Sequence, residues 1–376
     1  MTRKPAEIEN RLAALRHKRG FSAAELAKAA GVSRQTIYAM EAGSYVPNTA
    51  VALKLARALE ACVEDLFALP EDFTVRELRT DLVTLLAGAE GPQPGQPVEL
   101  CRVDRRTIAV VPSPVPWYFP SSDAVVTSAP AGSAKAQVQV FHGEETGNRI
   151  LIAGCDPGIS VLARHIRAAG IELVLAHRNS SQALGLLKEG SVHIAGTHLR
   201  DEASGESNIP EIGRVFPRHS VAVISFAVWE EGVVTARGNP KQIRGVEDFA
   251  RPDVTMVNRE AGAGSRILLD TWLKRLGIDR RNVRGYGHTA QGHLPAAWHV
   301  LSQAADCCIA TRAAARLFGL SFIPLVSERY DLAIRRHHLN LPAIQTLLDT
   351  LSRSSFRQEL ESLGGYDTRV AGERLL

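Results

Sequence analysis

The apolar positions of this chain change their period twice. Up to about residue 69 they recur at helical spacing, in Ile8, Leu12 and Leu15, then Leu26 and Ala30, then Ile37 and Met40. Leu53, Leu55, Ala56 and Leu59 follow, and then Val63, Leu66 and Phe67. This spacing predicts five short helices, each with one buried stripe. The start and stop signals agree with it. Ser22, with Glu25 three residues on, makes a capping box for the second helix. Gly31 supplies the left-handed turn that ends that helix. Ser33 caps the third helix, and Gly43 and Pro47 break the chain beyond it. Between 70 and 87, Val75, Leu78, Leu82 and Leu85 or Leu86 continue a helical period, and Gly88 to Pro97 reads as a linker. Residues 98–146 then alternate: Val98, Leu100, Val103, Ile108, Val110, Val138 and Val140 predict short antiparallel strands in a small β-rich module. The proline-aromatic run 112–120 inside it cannot be central strand, because proline donates no ladder hydrogen bond.

From Asn148 the pattern becomes alternating strand and helix. Ile150-Leu151-Ile152-Ala153-Gly154 is a buried strand, and Cys155-Asp156-Pro157-Gly158 leads into an amphipathic helix. Ile171 to Ala176 is a second strand, Ser180 opens a second helix, and Val192 to Ala195 is a third strand. A second such unit spans about 240–325, with strands at Val254–Val257, Val283–Tyr286, Cys307–Ala310 and Phe322–Val326. Its helices start near Ser265, Leu294 and Thr311, and a helix from Leu341 returns to the first lobe. The alternation predicts parallel sheets flanked by helices, in two lobes with a cleft between them. The expected fold class is multidomain, α plus α/β. An all-α helix-turn-helix bundle (1–69) leads, through a helix and linker (70–97) and the β-rich module (98–146), to a two-lobed α/β domain (147–376).

The outward residues of the third helix carry the first chemistry. A recognition helix presents its N-terminal residues to base edges in the major groove. Arg34 suits guanine, Gln35 adenine, and Thr36 a thymine methyl or a phosphate. Ser22, Ser33, Tyr38 and Lys28 complete the candidate DNA-binding set, with Arg16, Lys18, Arg19 and Lys54 as phosphate contacts. A helical bundle that binds protein is the plainer alternative.

The second chemistry lies at strand-to-helix junctions. In Asn258-Arg259-Glu260-Ala261-Gly262-Ala263-Gly264-Ser265-Arg266 the glycines permit close backbone approach, and the helix start offers free N–H donors to an anion. Ser265 adds a hydroxyl, and Arg259 and Arg266 add charge-assisted donors. Ser180 with Ser181 and Cys155 with Asp156 mark two further junctions, and His198 with Asp201 lies just past a strand end. The candidate ligand-binding set is therefore Cys155, Asp156, Ser180, Ser181, His198, Asn258, Arg259, Gly262, Gly264, Ser265 and Arg266. The run lacks the glycine-lysine-serine ending of a nucleotide-hydrolysing loop. His288, His293 and His299, and His193 with His198, lack metal-site spacing, so no metal site is expected. Nor is any catalytic constellation evident.

Bulk properties narrow the class. A length of 376 residues implies two or three domains. A net charge of +4 is compatible with nucleic acid. No apolar run approaches the roughly 20 residues of a membrane span, and residues 1–7 carry no apolar signal core. The five scattered cysteines do not suggest a disulfide framework. The cytoplasm is the expected compartment, with no membrane partner.

Two resemblances follow from these motifs. Glu25-Leu26-Ala27, Gly31-Val32-Ser33, Ile37, Glu41-Ala42-Gly43 and Pro47 make residues 8–69 resemble the Xre/Cro helix-turn-helix repressors. Ala23 departs from that pattern, since many members place a DNA-touching glutamine there. Residues 148–370 look like the periplasmic-binding-protein-like domains (type II) of cytoplasmic regulators and of some molybdopterin biosynthesis proteins. The motifs are Ala153-Gly154-Cys155-Asp156-Pro157, His193 to Leu199, Gly238-Asn239-Pro240, Val257-Asn258-Arg259, Gly262 to Arg266, and Glu328 to Leu332. His288 to His293 departs from the simpler Thr-His turn of that family.

The second resemblance implies a clamp for a molybdate- or tungstate-like anion, a related cofactor or another anionic metabolite, with no resident cofactor required. Together the two imply a ligand-responsive regulator that is not an enzyme. Its partners would be an operator duplex, a small anion and a second copy of the chain. An enzyme or carrier of molybdenum-cofactor metabolism with an attached DNA-binding domain stays open beside it, as does a ligand-free scaffold.

Overall fold

The computed structural model describes residues 9–68, 80–86, 93–112, 122–130, 133–141, 148–201 and 204–376. Ile8, Val75, Leu78, residues 88–92 of the proposed linker and positions 113–120 of the proline-aromatic run lie outside these residues. The chain divides into two units, Met1–Glu77 and Leu78–Leu376.

The first unit holds β1 (Glu9–Asn10), α1 (Leu12–Lys18), α2 (Ala23–Ala30), α3 (Arg34–Glu41), α4 (Thr49–Ala58), α5 (Val63–Leu66) and β2 (Phe67–Ala68). β1 and β2 pair antiparallel and tie the ends of the bundle together. The capping box forms. Glu25 N–H donates to Ser22 Oγ at 3.2 Å, and Ser22 N–H donates to Glu25 Oε2 at 2.8 Å. Gly31 ends α2 in the left-handed conformation. Leu12, Leu26, Ile37, Met40, Leu55 and Leu59 form the core. Leu53, expected inside, is 58% exposed.

Arg16, expected at the phosphates, is instead buried. Its Nε donates to Glu41 Oε1 at 2.6 Å, its Nη2 to Glu41 Oε2 at 3.1 Å and its Nη1 to Phe21 O at 3.0 Å. The helical period of α1 turns this side chain inward, where only an acidic partner stabilises it.

The second unit opens with β3 (Thr80–Leu86), β4 (Pro97–Val103), β5 (Arg106–Val110), β6 (Ala124–Ser128) and β7 (Lys135–Val140), which close into a barrel in the order β3-β5-β4-β6-β7. The expected helix over 70–87 is therefore corrected at its described end. Leu82 faces solvent while Val83 and Leu85 fill the barrel, a period of two. Leucines at 82, 85 and 86 suit either period, and pairing with β5 and β7 decides between them. Cys101, Val103, Ile108 and Val110 point the other way and share a core with the next layer.

That layer contains β8 (Arg149–Gly154), α6 (Ile159–Arg167), β9 (Glu172–His177), α7 (Ser180–Glu189), β10 (Ile194–Thr197) and α8 (Ile209–Val215), followed by the long β11 (Val221–Thr235). The far lobe carries β12 (Asn258–Arg259), α9 (Gly264–Leu276), β13 (Thr289–Ala290), α10 (His293–Leu301), β14 (Cys307–Thr311) and α11 (Arg312–Leu317). The long β15 (Ser321–Arg335) returns, and α12 (Pro342–Leu351), α13 (Ser354–Ser362) and β16 (Tyr366–Asp367) finish on the first lobe.

The main sheet runs β14-β11-β15-β10-β8-β9, with β16 on β11. Only β8, β9 and β10 are parallel neighbours; β15 is antiparallel to β10 and β11, and β14 is antiparallel to β11. The all-parallel expectation fails because residues 221–235 form a strand where none was expected. Val254–Val257 contributes only a bridge from Met256 to Cys307. Val283–Tyr286 is a turn around Gly285, where a Cβ would lie 2.0 Å from Met256 O.

Arg149 pins the barrel to the first lobe through Asp123 Oδ1 at 2.9 Å and Leu100 O at 2.8 Å. Beside it, burial and the Asp123 and Glu172 carboxylates push Glu99 up to about 7, against the pull of Arg149. A carboxyl raised on folding stabilises below its ordinary pKa of about 4.3 and loses that contribution as pH climbs through the folded value. Stability measured by urea denaturation should therefore fall between about pH 4.3 and 7, and Glu99→Gln should flatten that fall. Equal slopes in both proteins would contradict this.

Candidate functional site

β11 and β15 run through both lobes, and their middles cross the cleft. Register shifts interrupt their pairing between Ser225 and Ala227 and between Glu231 and Gly232, so the strands bend there. Trp229 and Glu231 come from β11, and Glu328 and Tyr330 from β15. The first lobe adds Cys155 after β8 and His198 after β10. The far lobe adds Arg259 at the end of β12, Ser265 in the first turn of α9 and His293 at the start of α10.

All of these side chains are buried, with Glu231 and His293 at 0% and Arg259 at 1% exposure. The Trp229 ring lies 4.9 Å from His198, 5.1 Å from His293 and 5.1 Å from Tyr330. His198 Nδ1 and Glu328 Oε2 are 2.8 Å apart. Ser265 Oγ donates to Glu231 Oε1. Cys155 Sγ lies 4.0 Å from His293 Nε2. Arg259 pairs with Glu260, from Nε to Oε2 at 3.0 Å and from Nη2 to Oε1 at 3.3 Å. Its Nη1 has no hydrogen-bond partner among the described residues.

Charge is tuned throughout. Burial and the Glu328 carboxyl push Glu231 up to about 8, and burial pushes Glu328 up to about 7. Burial, with Arg259 and His198 adding to it, holds His293 well below the ordinary imidazole value. Burial works against charge on His198, but the Cys155 sulfur and Glu231 outweigh it and raise that imidazole.

The structure brings Cys155, His198, Arg259 and Ser265 together from the candidate set. Gly264 belongs with them by necessity, because a Cβ there would sit 2.4 Å from His198 Cε1. The others serve the frame. Asp156 accepts from Gly158 N–H at 2.7 Å and from Tyr366 OH at 2.5 Å. Ser180 Oγ accepts from His198 N–H at 3.1 Å. Ser181 Oγ donates to Gly262 O at 3.3 Å, and Asn179 Nδ2 to Ala261 O at 3.1 Å, so α7 touches the far lobe directly. Asn258 Nδ2 donates to Tyr286 O at 3.2 Å. Arg266 lies 5.0 Å from the Tyr286 ring centroid and donates from Nη1 to Arg259 O at 3.2 Å.

Sequence reasoning missed Trp229, Glu231, Glu328 and Tyr330, and set His293 aside. A signal was available: Trp229-Glu230-Glu231 interrupts a run of β-branched and apolar residues. Acidic residues in a buried strand break a local rule, as functional positions do. A cavity of about 550 Å³ opens beside the cluster, lined by His198, Arg200, Trp272, Arg275, Leu325 and Glu328.

On the first unit, α3 exposes Arg34, Gln35 and Tyr38, with the Arg34 guanidinium 5.4 Å from the Tyr38 ring centroid. Lys28 is exposed on α2. The Ser22 and Ser33 hydroxyls are engaged as caps, and Thr36 Oγ1 lies 2.8 Å from Ser33 Oγ.

Residues 163–352, slightly more than half of the chain, match the PBP superfamily domain. This chain belongs to the PBP superfamily. Ahead of this superfamily domain, residues 10–69 match a helix-turn-helix domain. The uncharacterised protein YvgK of Bacillus subtilis is 32% identical over 251 residues, which is 66% of this chain and 81% of that protein. An uncharacterised HTH-type transcriptional regulator of the same organism, YgzD, is 40% identical over 65 residues, 17% of this chain and 98% of that protein. Among solved structures, a putative phosphate ABC transporter substrate-binding protein from Clostridium perfringens, with bound phosphate, aligns at a TM-score of 0.46 and 12% identity. It covers 58% of this chain and 98% of that one. Among the described residues, no helix is long and apolar enough to cross a membrane.

Proposed function

We propose that this protein is a one-component transcriptional regulator whose helix-turn-helix unit reads an operator and whose PBP-superfamily clamp grips a small anion. The carrying observation is Arg259. Its guanidinium is buried at 1% exposure, and Glu260 takes up only two of its three nitrogens. A cation buried that deeply requires its donors to be satisfied. An anion in the cleft would accept from Nη1 and from the backbone at the start of α9. Near neutrality the Glu231 and Glu328 pair keeps a proton, which gives the site a hydroxyl donor as well. A fully ionised tetrahedral oxyanion such as molybdate or tungstate only accepts, and an array of donors suits it.

The regulator works in the cytoplasm, where its operator is. It acts as a dimer, because one recognition helix reads too few base pairs for specificity. Ligand-driven closure changes operator affinity by a coupling free energy of about 1–3 kcal/mol.

Thermal shift of the full chain against molybdate, tungstate, sulfate and phosphate tests the clamp. A ligand at 100 times its Kd should stabilise the second unit by about 2.7 kcal/mol, and Arg259→Gln should abolish the shift. No shift with any anion would sink the sensor reading. For the operator, Arg34→Ala and Gln35→Ala should each weaken binding by about 1–3 kcal/mol in fluorescence anisotropy, with folding intact. Unchanged affinity in both variants would displace α3 as the reading helix.

A further inference from the structure

The cleft holds a second constellation that the anion reading leaves unused. Cys155, His198 and His293 come from three different elements in two lobes, and each offers a donor atom within 4.8 Å of the other two. We propose that these three side chains bind a divalent metal ion of the zinc type inside the cleft. The inference shares the cleft with the anion reading and does not depend on an anion.

The donor set is the first argument. One sulfur with two imidazole nitrogens matches a borderline-soft ion, whereas magnesium and calcium prefer oxygen ligands. At ordinary Zn–S and Zn–N lengths, tetrahedral geometry sets the sulfur and nitrogen donors about 3.6 Å apart. Cys155 Sγ and His293 Nε2 lie 4.0 Å apart and the remaining donor pairs within 4.8 Å, so the three side chains draw in by at most about an ångström to seat the ion.

The second argument is the state of the imidazoles. His198 Nδ1 is 2.8 Å from Glu328 Oε2, the carboxylate–imidazole arrangement that fixes the tautomer of a metal-ligating histidine. Its Nε2 is then left with a lone pair, and that atom is buried with no hydrogen-bond partner among the described residues. The other His293 ring nitrogen, Nδ1, lies on the side of Glu231, with Oε1 at 3.8 Å, which leaves Nε2 to face Cys155. Buried polar atoms of this kind are rare unless something absent from the protein chain satisfies them.

The third argument is charge. Arg259 nearby is paired with Glu260, and Cys155 binding as a thiolate supplies a negative charge directly to the ion. Three protein donors leave a tetrahedral ion one open position, the pattern of a site that takes an exogenous ligand. Ligands drawn from both lobes would make occupancy a clasp on the closed clamp.

The test uses full-length protein stripped with a chelator and titrated with Co²⁺ alone, no oxyanion being added. One Co²⁺ per chain should bind and give a sulfur-to-cobalt charge-transfer band in the near ultraviolet, displaced by Zn²⁺. Cys155→Ser should lose that band, and His293→Gln should weaken binding at least tenfold. Glu328→Gln, which alters only the carboxylate behind His198, should weaken it by about 10–100-fold. Circular dichroism and cooperative melting establish that each variant is folded. Wild-type protein that melts natively and shows no charge-transfer band overturns the proposal, whatever the variants do. A folded Cys155→Ser protein with the wild-type spectrum overturns it too. Because metal and oxyanion are added separately, a missing anion response leaves this site standing, and a missing metal response leaves the anion reading standing.

Discussion

Glu41→Ala is expected to unfold the helix-turn-helix unit and abolish operator binding while leaving the clamp intact. Arg16 is 7% exposed and sends two nitrogens to the Glu41 carboxylate and one to the Phe21 carbonyl. Removing Glu41 leaves a buried guanidinium without its counter-charge, at a cost of about 3–5 kcal/mol. A bundle of roughly 60 residues has little stability beyond that, because small domains bury a small fraction of their surface. The two units are separate compact bodies. Calorimetry of the full chain should therefore show the transition of the first unit lost or moved far down, with the second unchanged. Arg16→Met combined with Glu41→Leu should recover much of the loss, since apolar replacements remove both charges together. A single variant that melts like wild type would show that the pair contributes little.

Gly196→Ala should be among the most damaging small changes in the clamp. A Cβ at 196 would lie 1.9 Å from the Tyr330 hydroxyl and 2.5 Å from Cζ of its ring. Tyr330 is fully buried against Trp229 and Phe226, so the ring has nowhere to go. Overpacking of this severity costs about 3 kcal/mol or more. Gly154 faces the same hydroxyl, with a Cβ placed 2.4 Å from it. Tyr330→Phe should rescue Gly154→Ala more fully than Gly196→Ala, because only at 196 does the ring itself also clash. A double-mutant cycle by urea denaturation measures this, and equal rescue would refute the geometry.

How far the sequence could be read varies with how local each feature is. The helices of the first unit were legible because their signals are short-range: Ser22 with Glu25, Gly31, Ser33, and apolar spacing within one helix. The strands β8, β9 and β14 were legible as buried apolar runs. The segment 80–86 was not, because its leucines satisfy two periods and only neighbouring strands choose between them. Nor was β11, or more of β15 than Phe322–Val326. β11 and β15 obtain their register from each other, roughly a hundred residues apart in sequence.

The site follows the same division. Arg259, Gly264 and Ser265 stood out because a glycine-rich turn after a strand announces itself. Glu231, Glu328 and Trp229 acquire meaning only when two distant strands cross. Cys155 and His293 lie 138 residues apart and meet only in the folded chain.

The helix α7 links what happens in the cleft to the barrel. At its start, Asn179 and Ser181 hold backbone carbonyls of the far lobe. At its end, Arg335 donates to the carbonyls of Leu187 and Lys188, and Arg106 of the barrel donates to those of Glu189 and Gly190. Ten residues of helix make a strut about 15 Å long, and a hydrogen-bonded helix of that length resists compression. One short helix held at both ends thus ties the far lobe to the barrel without passing through the main sheet.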